Sequence, residues 1–417
     1  MSSNNLIQVF EYEKLRFTEN NDFTESHFKT LVKFNETYDN KYFKPIYNGI
    51  QFNSYVGIIQ IGGITIEILP KADKNTDSTQ KEKDTWQGVL LNMLRICKKI
   101  QIDIVSETQL KKRHYSILDV YFEMYLEEIE QLEKKGFIKK YRKRQSNKLA
   151  LKGKLVFLKN IQKNIVHKER FYCEHSEYDK NHLIHQILLE GLNVLESLKT
   201  SYLSDRINRL KFPFDAIERK TITNTHFKKL VLNRKSKPYE RALSIAKMLI
   251  LNYSPNISYG QDNMLTLLFD MNVLWEEYIF RILHKHKPVN TTVTFQNKKD
   301  FWKSSNRTKI IRPDIVITEI NTNITYIIDT KWKIRDNNNP DDNDLKQMFV
   351  YNLYWQSEKS LLLFPKTYQT DSDYGEYQYT SNNMSKNKCK LGFIALIKEE
   401  RLINSKIIAK KIFKKLD

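Results

Sequence analysis

Glycine is scarce in this chain. It has 11 glycines and 9 prolines in 417 residues, where glycine alone usually makes up about 7%, so a Gly-rich or Pro-rich low-complexity protein is excluded. Cysteine is scarcer still: Cys97, Cys173 and Cys389 are far apart and odd in number. They form no disulfide framework, and a reducing cytoplasm is the expected setting. Long apolar runs are also missing. None approaches the roughly 18–20 residues that span a bilayer, and Met1-Ser2-Ser3-Asn4-Asn5 has no basic region leading into an apolar stretch. Neither membrane attachment nor a signal peptide is expected. Acidic residues are in deficit, with 49 Asp and Glu against 69 Lys and Arg, a net charge of +20.

Apolar mass is present. Hydrophobic residues make up 40% and aromatics 12%, enough for real cores, which excludes a wholly disordered chain. At about 150 residues per domain the length suggests two or three domains. The positive excess points to a polyanion, nucleic acid being the commonest, because each phosphate contacted by Lys or Arg releases counterions. The alternative is a merely solvated basic surface on a chain rich in Lys, Asn and Ile.

Residues 1–80 read mostly as β. Val56–Ile61 and Ile64–Leu69 are β-branched runs around Gly62-Gly63, a two-residue hairpin signal, and Pro70 ends the second run. Asp73–Lys83 is polar and reads as a long loop. Trp86, Val89, Leu90, Met93, Leu94, Cys97 and Ile100 recur at helical spacing. Ser116 caps a helix carrying Val120, Met124 and Leu132, which Gly136 stops. In Lys139–Arg144 five of six residues are basic, giving either a solvated loop or a polyanion contact. Leu151–Leu158 reads as a Lys-rich strand, and helical patterns cover 179–199, 239–252 and 262–286, the last including Phe269–Leu283.

After Lys287 the texture changes. Thr291–Gln296, Arg312–Thr318, Ile324–Lys331, Ser360–Phe364 and Leu391–Ile397 read as strands, with a helix at Asp342–Trp355. Leu402–Leu416 reads as a basic amphipathic helix with Ile408, Ile412 and Leu416 on one face, expected to pack on its own domain rather than bind a membrane surface. The expected fold class is α+β and multidomain: a β-rich N-terminal domain (1–80), a mainly helical middle region (81–260) and a C-terminal α/β domain with a mixed central sheet (261–417).

The chemistry gathers in that last part. Arg312-Pro313-Asp314-Ile315-Val316-Ile317 is followed by Tyr326-Ile327-Ile328-Asp329-Thr330-Lys331, a P-D, spacer, D-x-K pattern. Strand side chains alternate, so Asp329 and Lys331 share a face and Thr330 is expected to point away. Asp314, on a neighbouring strand, brings a second carboxylate to the same edge. Two carboxylates, a backbone carbonyl and waters suit octahedral Mg²⁺, which polarises a phosphodiester and acidifies a bound water. Lys331 is expected to orient that water and offset charge on the phosphate. D-x-K and E-x-K triplets are cheap here: Asp39-Asn40-Lys41, Glu133-Lys134-Lys135 and Glu218-Arg219-Lys220 also fit. Asp329 is distinguished by ending a buried-looking strand. Gln347 and Tyr351, four apart on one helical face, either support this site or, for Tyr351, pack in the core. Of Glu276 and Glu277, one reaches the metal site or both stay exposed beside Arg281.

These motifs resemble the PD-(D/E)xK nuclease superfamily and, in detail, the McrC family of McrBC-type, modification-dependent restriction systems. The resembling pieces are Phe269–Glu276, Arg312–Val316, Ile328–Lys333 and Gln347–Tyr351, with Val56–Ile59, Glu67–Lys71, Gly153-Lys154 and Tyr178–Asn181 nearer the N-terminus. The resemblance implies a restriction-endonuclease-like fold for residues 261–417, with Asp314, Asp329, Lys331 and Gln347 catalytic. It implies Mg²⁺ held by Asp314, Asp329, Thr330 and Glu276. Trp275 stands where Phe is usual and Thr330 where a small residue is usual. The implied partners are double-stranded DNA and a McrB-like AAA+ GTPase ring that the N-terminal part stimulates. The chain has no G-x-x-x-x-G-K-[ST] loop, and Lys152-Gly153-Lys154 is no substitute, so it is expected to bind no nucleotide itself. The implied function is a Mg²⁺-dependent DNA endonuclease subunit. The alternatives are a catalytically silent DNA-binding or motor-regulating subunit and a nuclease acting without a motor. Cys173, His175, His182 and His185 match no common zinc spacing, and His284 and His286 end a helix, where they are expected to meet its carboxyl end or solvent.

Overall fold

The structure is a computed structural model describing residues 5–61, 63–71, 79–99, 116–198, 203–254, 264–333, 339–366, 369–378, 387–399 and 401–416. Gly62, Ile100, Lys111–Arg113 and most of the 73–83 loop lie outside the described residues. The chain is a mixed α+β protein with several sheets. It divides into two units, one of Met1–Leu6, Ile58–Thr65 and His114–Leu267, the other of Ile7–Gly57, Ile66–Arg113 and Leu268–Asp417.

The N-terminal strands are β1 (Asn5–Phe10), β2 (Lys14–Arg16), β3 (Phe43–Ile46), β4 (Gly49–Phe52), β5 (Tyr55–Ile61) and β6 (Ile64–Leu69). Their β-branched runs are buried on both faces in β6 and nearly so in β5. Helix Glu25–Glu36 was not evident from the sequence pattern. Thr24 starts it with a capping box to His27, and Leu31 and Phe34 bury its apolar face.

In the first unit, helices Ile117–Lys135, Leu183–Ser197, Ser204–Lys211 and Glu240–Asn252 pack together. Tyr125 is buried and its hydroxyl donates to Leu188 O at 2.7 Å. Gly191 makes room for it: a Cβ there would lie 2.3 Å from the Tyr125 oxygen. The basic run Lys139–Arg144 is not a loop. It enters β7 (Lys140–Lys148), which with β8 (Lys154–Leu155) and β9 (Phe171–Asp179) makes a three-stranded sheet ordered β7-β9-β8. Acidic residues of β9 explain the strand: Arg142 pairs with Asp179 at 2.8 Å and Arg144 with Glu177 at 3.1 Å. The strand expected over Leu151–Leu158 shrinks to β8, followed by helix Phe157–Asn164.

The 262–286 pattern also divides. After β10 (Tyr253–Ser254) comes β11 (Met264–Asp270), and only then helix Met271–Lys285. A short apolar run does not tell strand from helix by periodicity. Here Met264–Phe269 joins the sheet ordered β1-β6-β5-β11-β10, and Asp270 caps the helix by accepting from Asn272 N at 2.9 Å.

In the second unit the remaining strands are β12 (Thr291–Phe295), β13 (Lys299–Lys303), β14 (Thr308–Ile311), β15 (Ile315–Glu319), β16 (Thr325–Thr330), β17 (Lys359–Pro365), β18 (Gly375–Glu376) and β19 (Lys388–Ile394). The main sheet runs β12-β15-β16-β17-β19-β18. Its first three strands are antiparallel, and β16, β17 and β19 are parallel. Parallel strands are covered on both faces, and Leu361–Phe364 are fully buried. Helix Asp342–Trp355 connects β16 to β17 and packs Met348, Tyr351 and Trp355 against Val316, Ile327, Leu362 and Phe364. Helix Met271–Lys285 also contacts β16, and helix Ser405–Lys414 buries Ile408 and Ile412. Among the described residues no helix is long and apolar enough to cross a membrane.

Candidate active site

The antiparallel register sets Ile315 opposite Ile328, so Asp314, just before β15, stands beside Asp329 near the end of β16. Pro313 fixes the turn into β15 and offers no N–H. Both carboxylates line an open cleft of about 910 Å³ with Lys331, Glu276, Gln347 and Tyr351. The structure therefore brings together Asp314, Asp329, Lys331, Gln347, Thr330 and Glu276.

Thr330 does not simply point away. Its N–H and hydroxyl both donate to Asp314 Oδ2, at 2.7 and 3.0 Å. Thr330, between Asp329 and Lys331, thus steadies the other acid, Asp314. Asp329 Oδ2 is buried, and the Lys331 ammonium pairs with it at 2.8 Å. Burial pushes both acids up, Asp329 with help from Asp314 and Asp314 with help from Glu276. Burial alone would lower the Lys331 pKa, but Asp329, Asp344 and Asp314 outweigh it and keep the ammonium protonated above its usual range.

A relay fixes that ammonium. Lys331 Nζ donates to Gln347 Oε1 at 3.1 Å, Gln347 Nε2 to the Tyr351 hydroxyl at 2.7 Å, and that hydroxyl to Arg312 O at 3.1 Å. Tyr351 thus serves both site and core. Glu276 faces the cleft, pushed up by burial, and accepts from Gln296 Nε2 at 3.3 Å. Glu277 turns elsewhere, pairing with Arg281 at 2.6 Å and Lys99 at 3.0 Å.

Sequence reading missed Asp344, which is buried and lies 3.4 Å from Lys331 and 3.3 Å from Lys333. Its signal was the spacing Asp344, Gln347, Tyr351, one helical face at i, i+3 and i+7. It also missed Glu11, whose Oε1 accepts from Trp332 Nε1 at 2.6 Å and from Lys71 N at 3.0 Å. Trp332 in turn sits edge-on to Trp275, ring centres 5.2 Å apart, a contact that gives the larger ring at position 275 its use. No local pattern links Glu11 to residue 332.

Among the described residues, no group of three His, Cys, Asp or Glu side chains is placed to hold a metal by itself. Mg²⁺ asks for less, one or two carboxylates with waters and substrate oxygens. The buried, crowded carboxylates of Asp314 and Asp329 fit that demand. The ring nitrogens of His185 face Lys180 O at 2.7 Å and the Tyr239 hydroxyl at 3.4 Å, and His182 faces Ile138 O at 3.2 Å.

The chain belongs to the family described as McrBC 5-methylcytosine restriction system component, which matches residues 50–365. Its fold is similar to a chain in the refined half-complex from the tetradecameric assembly of Thermococcus gammatolerans McrB AAA+ hexamers with bound McrC. That likeness covers 99% of this chain and 100% of the other, at 17% identity and a TM-score of 0.71. The cryo-EM structure of the Thermococcus gammatolerans McrBC complex is similar over 68% of this chain and 88% of that one, at 18% identity and a TM-score of 0.51. No curated protein matches. The McrC resemblance read from the motifs is upheld by family and fold alike.

Proposed function

We propose that this chain is the Mg²⁺-dependent DNA endonuclease subunit of a cytoplasmic, modification-dependent restriction complex. The observation that carries the reading is the buried pair Asp314 and Asp329 with the Lys331 ammonium 2.8 Å from Asp329. Two crowded acids that resist losing both protons form a strong site for a divalent cation. Mg²⁺ bound by Asp314, Asp329, the Thr330 carbonyl and Glu276 would polarise the scissile phosphate and acidify a water.

The remaining work falls to the chain's own groups. Lys331 is held by Gln347 and orients the attacking water while offsetting charge on the phosphate. The Gln347–Tyr351–Arg312 relay keeps the lysine from swinging onto Asp329 alone. Lys333, Lys346 and Arg312 line the same cleft and draw in the DNA backbone. On this reading residues 261–417 form a PD-(D/E)xK domain that cuts, and 1–80 and 81–260 contact the motor. McrB is an AAA+ hexamer in the similar structure with bound McrC, so a McrB-like GTPase ring is the proposed partner, recognising and moving DNA and stimulated by this chain. The test is plasmid cleavage by the full chain with that ring. Cutting in Mg²⁺ that stops in chelator is expected, and undiminished cutting in chelator contradicts the metal role.

A further inference from the structure

The hairpin β13–β14 touches the core only at its root, where Ile311 packs against it. It is a two-stranded sheet of its own, and only Ile311 among its strand residues is not exposed. Yet Phe301 is 47% exposed, and Trp302 and Ile310 are each 51% exposed. An isolated hairpin is marginal in water, so exposing large apolar side chains on one has a cost that an occupant would offset.

The root of the hairpin is fixed. Lys299 Nζ donates to Tyr354 O and lies 4.9 Å from the Trp355 ring centre, and the Phe301 and Tyr354 rings are 5.8 Å apart. A register shift between Asp300 and Trp302 marks a bulge, a device that re-aims side chains beside active sites. Here Phe301, Ile310, Ile311 and Arg312 line the same cleft as Asp314, Asp329 and Lys331. The hairpin's charge is one-sided. Residues 298–312 carry Lys298, Lys299, Lys303, Arg307, Lys309 and Arg312 against the single acid Asp300.

We propose that β13–β14 is a DNA-binding arm that lies in the groove of the duplex next to the scissile phosphate. The inference rests on the cleft being the cutting site. A two-stranded ribbon fits the major groove, about 12 Å wide. Lys303, Arg307 and Lys309 then reach phosphates on the rims, and Trp302, paired with Lys309, meets the groove's apolar edges. The cutting site thereby gains grip on DNA without reading a sequence.

The test is salt-dependent binding of a short fluorescent duplex to the full chain in chelator, where no cutting occurs. Replacing Lys303, Arg307 and Lys309 together by Ala is expected to lower the slope of log affinity against log salt by about 2.7, at roughly 0.9 per phosphate contact. Trp302→Ala removes apolar contact but no phosphate contact, and is expected to weaken binding about tenfold with the slope unchanged. Both variants should melt as the parent does, because these side chains are exposed. Parental slope and affinity in both variants overturn the arm. Asp329→Asn separates the two ideas: it should bind duplex as the parent does but not cut with the motor and Mg²⁺. Cutting by Asp329→Asn sinks the site assignment while leaving the binding result for the arm readable.

Discussion

Glu11 shows how far a single side chain can tie distant sequence to the candidate site. Its carboxylate is buried, holds Trp332 one residue beyond Lys331, and keeps one oxygen without a hydrogen bond. Burial pushes its pKa up to about 7. Folded protein therefore binds more protons at Glu11 than unfolded protein does between pH of about 4.5 and about 7. Across that window this group's contribution to stability falls as pH rises, by about 1.4 kcal/mol per unit at most. Glu11→Gln keeps the acceptor for Trp332 and loses the titration. Melting temperature should therefore fall with rising pH more steeply in the parent than in the variant, and parallel profiles would contradict the burial argument. Tyr351 is the other telling residue, since its hydroxyl joins Gln347 to Arg312 O. Tyr351→Phe removes both bonds and is expected to lower kcat for cleavage about tenfold with little change in KM. Equal kcat would mean the relay does not aim Lys331.

At the scale of elements, much of the C-terminal part was legible. Helix Asp342–Trp355 has the bounds its pattern predicts, and the two strands beside the acids were visible as β-branched runs, one led in by Asp314 and the other ending near Asp329. Three features were not. Helix Glu25–Glu36 buries His27, Thr30 and Asn35 beside Leu31 and Phe34, so its inner face is half polar, and Thr24 caps it. The Met264–Phe269 run is equally apolar as helix or strand, and only sheet partners decide it. The β13–β14 hairpin buries almost nothing, so no hydrophobic alternation announces it. Close packing between elements was invisible too. Gly191 faces Tyr125 with no space for a methyl group, and Tyr125 is pinned by Leu188 O. Gly191→Ala is expected to destabilise the protein by about 1–3 kcal/mol, seen as a clear drop in melting temperature. An unchanged melt would show that Tyr125 yields easily.

The whole molecule is not folded in sequence order. Residues 7–57 and 66–113 belong to the same unit as 268–417, so a cut near residue 250 would strip partners such as Leu274 O, which accepts from Cys97 Sγ. Motor stimulation is therefore best tested on the full chain. Arg142 and Arg144 are engaged by acids of β9, whereas Lys143 is largely solvent-exposed. Replacing Lys139 and Lys143 by Ala should lower the partner's GTPase rate if this basic edge stimulates the ring, and an unchanged rate removes it from that role. The central claim is that Asp329 and Lys331 perform cleavage in an otherwise intact protein. The most direct measurement is Mg²⁺-dependent DNA cleavage by full-length Asp329→Asn and Lys331→Ala with the motor present. Loss of cutting with the fold and motor binding retained is the predicted result, and full cleavage by both variants would contradict it.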